Sequence, residues 1–124
     1  MGLNYTESLV TLAAHNFELI VNFYQQFLEQ APINQIPRVY AEFQLSGLRL
    51  GIFKPKASNQ EEFANSTYSG MSLCLEVKDL ETAIAHITKI GYPPSGQIAT
   101  ASHGREIYAY DPEGNRIILH QAKK

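Results

Sequence analysis

The apolar residues in the first quarter of the chain form a short run and then recur at helical spacing. Residues 9–15, LVTLAAH, predict a strand. Between Phe17 and Leu28 the apolar positions recur at intervals of three and four, which predicts an amphipathic helix. Asn16 precedes this pattern as a favourable N-cap, and Glu18 lies in the first turn, where a negative charge is stabilising.

Strict alternation of apolar and polar residues follows the helix. Residues 38–45, RVYAEFQL, alternate cleanly, and LRLGIF at 48–53 follows the turn Ser46-Gly47. Because successive side chains of a strand point to opposite faces, these segments predict a hairpin with one apolar and one polar face. Residues 55–68 are mostly polar and predict a linker.

The second half of the chain repeats this plan. A strand at 70–77 precedes a helix that begins after Asp79 and stops at Gly91, and three short strands follow it. A shift of 63 positions places Leu9 on Ser72 (72 − 9) and carries the first helix cap onto the second (79 − 16). Each half has one helix for a two-faced sheet, so we expect the halves to pair with each other or with a second chain.

Composition excludes several classes of function. The chain has 124 residues, 44% of them hydrophobic and 18% charged, which is typical of a globular domain. Its formal net charge of −2 provides no electrostatic basis for binding nucleic acid. No apolar run approaches the roughly 20 residues that a membrane span requires. A single cysteine and the absence of a signal-type N-terminus lead us to expect a cytoplasmic location.

Three features together resemble a known superfamily. These are the βαβββ plan used twice, the Phe23-Tyr24 pair in the first helix, and the ending DPEGNRIIL at 111–119. They resemble the vicinal oxygen chelate superfamily, which includes glyoxalase I, the bleomycin resistance proteins and the extradiol dioxygenases. The resemblance implies an α+β fold in which paired βαβββ modules form a curled antiparallel sheet cup. It implies one domain over residues 1–124, with module one at 8–54, a linker at 55–68 and module two at 69–121.

The metalloenzymes of that superfamily hold a divalent ion with His, Glu or Gln at four positions, on the first and last strand of each module. The matching positions here are Leu9, Gly51, Ser72 and Ile118. A divalent ion needs several charged or strongly donating ligands, so we predict no metal and no cofactor at this position. His103 and Glu106 could recruit a metal elsewhere, but two groups at one turn are a weak basis for a site.

The polar faces of the predicted strands supply groups that would line the cup. Arginines could clamp a carboxylate or phosphate, and aromatic rings could stack on a planar ligand. Glutamates could receive a basic group, or act as bases if burial raises their pKa. The same charged residues could instead pair with one another, and the tyrosines could pack at a dimer interface. The predicted pocket residues are Tyr40, Glu42, Arg49, Phe53, Ser72, Glu76, Tyr108, Arg116, Ile118 and His120.

Three functions are compatible with these patterns. We favour a metal-free small-molecule-binding protein of the glyoxalase/bleomycin-resistance type, which binds an organic ligand as a homodimer without nucleic acid or membrane partners. The second is a lyase, isomerase or oxygenase-like enzyme with displaced metal ligands or no cofactor, which would use Glu42 or Glu76 as a base. The third is a protein-interaction domain that presents Leu19 and Phe23, which lie off the main helix face. Cys74 is predicted to be a buried apolar residue rather than a nucleophile.

Overall fold

The computed structural model describes residues 2–123, which form two compact units, Met1–Phe63 and Ala64–Lys124. The first unit contains β1 (Val10–Ala13), α1 (Phe17–Leu28), β2 (Asn34–Ile36), β3 (Tyr40–Leu45) and β4 (Leu48–Phe53). The second contains β5 (Leu73–Glu76), α2 (Leu80–Lys89), β6 (Ala99–Ala101), β7 (Gly104–Tyr110) and β8 (Arg116–Ala122). Two short 3-10 helices lie at Ala57–Phe63 and Ser66–Tyr68.

Both units have the same sheet topology. The strand orders are β1-β4-β3-β2 and β5-β8-β7-β6, which confirms the α+β class and the repeated βαβββ plan. β1 pairs with β4, and β5 with β8, in parallel, so each sheet is mixed rather than wholly antiparallel as expected. The helix that follows the first strand of each unit allows the chain to return in the same direction, and parallel pairing requires such a crossover.

The register of the parallel pairs confirms the internal repeat. Thr11 lies opposite Gly51 in the first unit, and Cys74 lies opposite Ile118 in the second. The first-strand members of these pairs differ by 63 positions (74 − 11), the same offset that aligns the two helix caps. Gly51 and Ile118 are therefore equivalent positions of the two units.

Helix α1 covers the apolar face of the first sheet. Asn16 caps it as predicted, with its Oδ1 atom accepting a hydrogen bond of 3.3 Å from the Leu19 amide. Phe23 is 2% exposed and its ring stacks on Phe27 at 5.4 Å, so the expectation that Phe23 presents a partner surface is wrong. The helical stripe is wider than the spacing suggested, because a helix lying on a sheet buries a broad arc of its circumference. Leu19, in contrast, is 43% exposed, as expected.

Helix α2 is tied to the second sheet at its N-terminus. The Asp79 carboxylate accepts a hydrogen bond of 3.0 Å from the Thr82 amide, which confirms the predicted cap. The Leu80 amide donates to Oε1 of Gln121 on β8 at 2.8 Å, so the sheet satisfies another amide of the first helical turn. These bonds fix where α2 begins relative to the end of β8.

Three local features differ from the expectations. Strand β2 was not predicted, because its three residues are all exposed and too few to show alternation. The predicted linker contains two 3-10 helices, and Phe63 at the end of the first packs edge-on against Phe53 at 5.3 Å. Cys74 is exposed rather than buried, because alternation places it on the opposite face from its apolar neighbours Leu73 and Leu75.

The motif DPEGN is a turn held together by a buried carboxylate. Asp111 is 4% exposed, and its Oδ1 atom accepts from the amides of Glu113 at 2.9 Å and Asn115 at 3.0 Å. Its Oδ2 atom accepts from the Asn115 side chain at 2.8 Å. The left-handed φ of Gly114, +87°, completes the turn into β8. Asp111 therefore sets the start of β8, and its role is structural.

No helix within residues 2–123 is both long enough and apolar enough to cross a membrane.

We predict that Asp111→Ala lowers the free energy of unfolding by about 1–3 kcal/mol, because it leaves buried donors without an acceptor. Asp111→Asn is the matched variant. It keeps an oxygen for the two backbone amides and loses only the acceptor for the Asn115 side chain, so its cost should be smaller. Chemical denaturation of both variants measures this order, and equal stability of Asp111→Ala and the wild type would show that the turn does not depend on the carboxylate.

Candidate functional site

The uncovered face of each sheet carries the polar side chains, as alternation predicted. On β3, Ala41 and Phe43 are fully buried on the helix side, and Glu42 points to the other face. On β8, Ile117 and Leu119 are 0% and 1% exposed on the helix side, whereas Ile118 and its alternate neighbours are half-buried. The predicted pocket residues thus lie on the polar faces of the two sheets, four on the first and six on the second.

In the first unit the polar face is organised around a buried carboxylate. Glu42 is 6% exposed, and its Oε1 atom accepts a hydrogen bond of 2.7 Å from the Tyr40 hydroxyl. Its Oε2 atom accepts from Nη1 of Arg49 at 3.1 Å. The other Arg49 nitrogen, Nη2, lies 2.7 Å from a carboxylate oxygen of Glu7. Arg49 therefore spans two carboxylates, and the interpretation of Arg49 as a glutamate-paired residue fits this geometry better than a free anion clamp.

This network sets the protonation states of its members. The hydrogen bond from Tyr40 lowers the pKa of Glu42, and the nearby Arg49 charge acts in the same direction against the effect of burial. Burial and the adjacent Glu42 charge raise the pKa of Tyr40 to about 12. Glu42 is therefore a stable carboxylate. The predicted role of Glu42 as a general base required a raised pKa, and this environment lowers the pKa instead.

Gly51, the superfamily's metal position on β4, lies beneath the Tyr40 ring. A Cβ atom added at Gly51 would be 2.7 Å from the Tyr40 hydroxyl oxygen and 3.1 Å from a ring carbon. Such distances are well inside van der Waals contact, so any larger side chain would have to displace the Tyr40 ring, whose hydroxyl group is bonded to Glu42. In this structure Tyr40 occupies the space that a metal-binding side chain at position 51 would need.

In the second unit Arg116 joins two strands of the polar face. Its Nε atom donates to the Ser72 hydroxyl at 2.6 Å, and Nη2 donates to the Ser69 carbonyl at 3.1 Å. Its guanidinium carbon lies 6.0 Å from the centre of the Tyr108 ring, a cation–π distance. Within residues 2–123 no carboxylate forms an ion pair with Arg116. We call Ser72, Tyr108 and Arg116 the arginine cluster.

The superfamily's four metal positions do not fit a divalent ion in this chain. Leu9 and Ile118 offer no donor atom, and Gly51 has no room for one. The Ser72 hydroxyl is already an acceptor for a positively charged guanidinium, which would repel a cation placed beside it. No reaction step can be assigned to a metal at these positions.

The remaining pocket residues of the second sheet lie toward the other end of β8. Nδ1 of His120 is hydrogen-bonded to both carboxylate oxygens of Glu76, the second at 3.0 Å. The ring of His103 stacks on His120 at 5.0 Å, and Glu106 lies next to His120 in the register of β7 and β8. The sequence offered His103 and Glu106 as a metal site outside the superfamily's positions, with His120 as a further candidate. Strand pairing brings the three together, because it places the β6–β7 turn beside β8.

The partners of the two arginines were not predicted from the sequence. Glu7 lies in the polar N-terminal segment and Ser69 in the segment before β5, outside any predicted element. The exposed Cys74 has a raised thiol pKa, through partial desolvation first and then the charges of Glu76 and Glu106. The thiol is therefore not activated as a nucleophile, which agrees with the prediction for its chemistry.

Comparison with known proteins identifies the family. The sequence model of the glyoxalase/bleomycin resistance protein/dioxygenase superfamily matches residues 3–119. The chain therefore belongs to this superfamily, as its motifs indicated. No curated protein sequence matches it significantly.

Solved structures share the fold at low sequence identity. A glyoxalase/bleomycin resistance protein from Catenulispora acidiphila is 20% identical with a TM-score of 0.71, and the match covers 96% of this chain and 100% of that one. A bleomycin resistance determinant encoded on transposon Tn5 is 16% identical with a TM-score of 0.70 and coverages of 97% and 100%. Lactoylglutathione lyase from Agrobacterium tumefaciens is 15% identical with a TM-score of 0.69 and coverages of 95% and 94%. Similarity at this level defines the fold and leaves the activity open.

The packing of Tyr40 on Gly51 generates a prediction for a double-mutant cycle. Gly51→Ala should lower the free energy of unfolding by about 1–3 kcal/mol, because the new methyl group displaces a ring held by a partly buried hydrogen bond to Glu42. In a Tyr40→Ala background the same substitution should cost less than about 1 kcal/mol, because the obstructing ring is gone. Denaturant unfolding of the four proteins measures the coupling, and additive effects would contradict the contact.

The lowered pKa of Glu42 generates a prediction for the pH dependence of stability. The folded state holds Glu42 ionised more strongly than the unfolded state does, so its contribution is fully present above the ordinary pKa of 4.5 and is lost as pH falls through the folded value. The stability difference between wild type and Glu42→Gln should therefore be largest near neutral pH and shrink below it. Glu61→Gln, at an exposed position, is the control and should show no such change. A difference that stays constant from neutral pH down to acid unfolding would refute this assignment.

Proposed function

We propose that this chain is a small-molecule-binding protein of the glyoxalase/bleomycin-resistance type, which binds a planar organic anion without a metal at the superfamily's ligand positions. The observation that carries the proposal is the arginine cluster. Arg116 is held in place by neutral acceptors and lies over an exposed tyrosine ring, so its positive charge has no anionic partner among the residues described.

The charge of Arg116 distinguishes it from the other arginines of the two sheets. Arg49 is paired with Glu42 and Glu7, and Arg105 forms a two-pronged pair with Glu81 at 2.6 and 2.9 Å. Arg116 uses Nε and Nη2 for Ser72 and the Ser69 carbonyl, and these bonds orient the side chain without neutralising it. A guanidinium that is already ordered loses less conformational entropy when it binds a carboxylate or phosphate.

Aromatic surface beside Arg116 supports a planar ligand. Tyr108 and Tyr110 alternate along β7 on the polar face and are 47% and 39% exposed. Exposed tyrosine rings offer flat apolar area together with a hydroxyl group, a combination that favours stacking on aromatic or conjugated molecules. Together with the arginine, they suit a ring that bears an acidic group.

The catalytic alternative has less support. Glu42 is engaged by Tyr40 and Arg49 and has a lowered pKa, so it is a poor general base. The interaction-domain alternative required both Leu19 and Phe23 at the surface. Phe23 is buried, so only Leu19 is available for contact with a partner. The name of the bleomycin resistance determinant identifies it as a resistance protein and does not state a ligand. Small-molecule binding by this chain is therefore our proposal.

We also propose that the protein acts as a homodimer in the cytoplasm. In each unit one α-helix covers one face of the sheet, so the polar face receives no helix from its own unit. Light scattering of the purified protein tests the dimer, and a monomer mass across the micromolar range would exclude it.

We predict that Arg116→Met weakens the binding of aromatic carboxylates by about 10–100-fold, because one charge-assisted hydrogen bond is worth roughly 1.5–3 kcal/mol. A thermal-shift screen of aromatic carboxylates and phosphates, with their uncharged amides in parallel, finds a probe, and calorimetry compares the variants. Lys89→Met removes a positive charge from the exposed side of α2 and should leave the affinity unchanged.

Two results would overturn the proposal. One is equal affinity of Arg116→Met and wild type for the best probe. The other is preferential binding of the uncharged amides, which would show that charge does not select the ligand. The melting temperature of Arg116→Met without ligand separates a loss of binding from a loss of folding.

A further inference from the structure

A second group of polar side chains lies at the opposite end of β8 from Arg116. It consists of His103 in the β6–β7 turn, Glu106 on β7 and His120 on β8. One ligand atom from each of the three residues lies within 4.8 Å of the others. Nε2 of His103 and a carboxylate oxygen of Glu106 are 3.9 Å apart. We call these three residues the histidine cluster.

We propose that the histidine cluster binds a divalent transition-metal ion of the zinc, cobalt or nickel type. Two imidazole nitrogens and one carboxylate oxygen form a ligand set that such ions prefer over magnesium or calcium, which take oxygen ligands. Ligand atoms around a tetrahedral zinc ion are about 3.3 Å apart, given bonds of about 2.0–2.1 Å. The observed separations, 3.9 Å for one pair and up to 4.8 Å for the others, require contractions of about 0.6–1.5 Å. Side-chain rotation of the exposed His103, together with adjustment of Glu106, would bring the ligand atoms to these distances.

His120 is already arranged as a metal ligand. Its Nδ1 atom is bonded to the Glu76 carboxylate, which can only accept, so Nδ1 carries the proton. In the neutral ring Nε2 then has a free lone pair. This Nε2 atom is buried and has no hydrogen-bond partner among residues 2–123. A histidine that donates one ring N–H to a carboxylate and keeps the lone pair of the other nitrogen is the usual arrangement of histidine ligands around metals.

The doubly protonated state of His120 also leaves its Nε2 atom without a hydrogen-bond partner among residues 2–123. If His120 carries both protons, Nε2–H is a buried donor without an acceptor, which costs free energy. Its side chain is only 12% exposed, so solvent gives little compensation. In either state the buried Nε2 atom lacks a partner, and a bound metal ion supplies one in the neutral state.

The turn that carries His103 is fixed by close backbone contact. A Cβ atom at Gly104 would be 2.2 Å from the Gln121 carbonyl oxygen, so only glycine allows β7 to approach β8 here. The Lys123 amide donates to the His103 carbonyl at 3.2 Å on the other side of the same turn. The backbone of His103 is therefore held beside β8, while its side chain, 65% exposed, keeps the freedom to rotate toward a metal.

This site is separate from the superfamily's metal position. Ile118 occupies that position on β8, and His120 lies two residues further along the same face, a distance of roughly 7 Å. His103 and Glu106 belong to the β6–β7 hairpin, which contributes none of the four superfamily positions. Three protein ligands also leave at least one coordination position for water or for an atom of a bound molecule, unlike closed four-ligand structural sites.

Cobalt titration of the tag-free, chelator-treated protein tests the proposal. Binding of one Co²⁺ per chain should appear in the visible absorption spectrum and by calorimetry, and Zn²⁺ should displace it. His103→Ala, whose exposed side chain can be removed without opening a cavity, should abolish saturable binding. Glu76→Gln should weaken binding by about 10–100-fold, because the carboxylate orients His120 without touching the metal.

Two control variants test whether side chains outside the histidine cluster bind the metal. His15→Ala removes a histidine outside the cluster, and Cys74→Ser removes the exposed thiol of the same sheet face. Both should bind Co²⁺ as the wild type does. Arg116→Met should also bind the metal normally, so failure of this proposal and failure of the anion-binding proposal are distinguishable.

The proposal is overturned if millimolar Co²⁺ or Zn²⁺ gives no saturable binding to wild-type protein. It is also overturned if His103→Ala binds with unchanged affinity, or if Cys74→Ser abolishes binding, since the thiol would then be the ligand. Histidine NMR spectra give an independent result. Zn²⁺ should shift the Nε2 resonance of His120 while its Nδ1 atom remains protonated, and an unperturbed His120 at saturating Zn²⁺ would exclude it as a ligand.

Discussion

The organisation of each unit follows from one constraint, namely that a single helix covers only one face of a four-stranded sheet. The face under the helix is aliphatic and aromatic, with Ile52 and Leu119 fully or almost fully buried at its centre. The other face must then be compatible with water or with a ligand. Strand alternation sends every second side chain to that face, so the polar chemistry of the protein is concentrated there.

Charge on the polar face of the first sheet is neutralised within the unit. Glu42 is nearly buried, and a buried carboxylate is tolerated only with donors around it. Tyr40 and Arg49 provide them, and the position of Tyr40 in turn requires glycine at position 51. The glycine at position 51 of β4 is thus part of a packing arrangement that includes Tyr40 and Glu42. On the second sheet Arg116 has neutral acceptors and no carboxylate partner among residues 2–123, so its charge is available for the proposed anionic ligand.

The fold was predictable because its signals are local and repeated. Asn16 and Asp79 mark the helix starts, and alternation around Glu42 and Ile118 assigns the sheet faces without knowledge of the strand order. Features that depend on tertiary contact were not predictable in this way. The three-residue strand β2 and the burial of Phe23 are examples, since each is decided by a neighbouring element rather than by local spacing.

The same distinction applies to the candidate sites. Sequence position identified Arg116, His120 and the polar alternation, but it could not pair Arg116 with Ser72 or place His103 beside His120. Those contacts join residues that are 44 and 17 positions apart (116 − 72 and 120 − 103), and strand register alone brings them together. Strand β8 consequently carries two chemically different groups on one face. The Arg116 guanidinium at its start has neutral acceptors, and the His120 imidazole near its end has a buried nitrogen without a hydrogen-bond partner among residues 2–123. Ile118 lies between them and separates the proposed anion site from the proposed metal site.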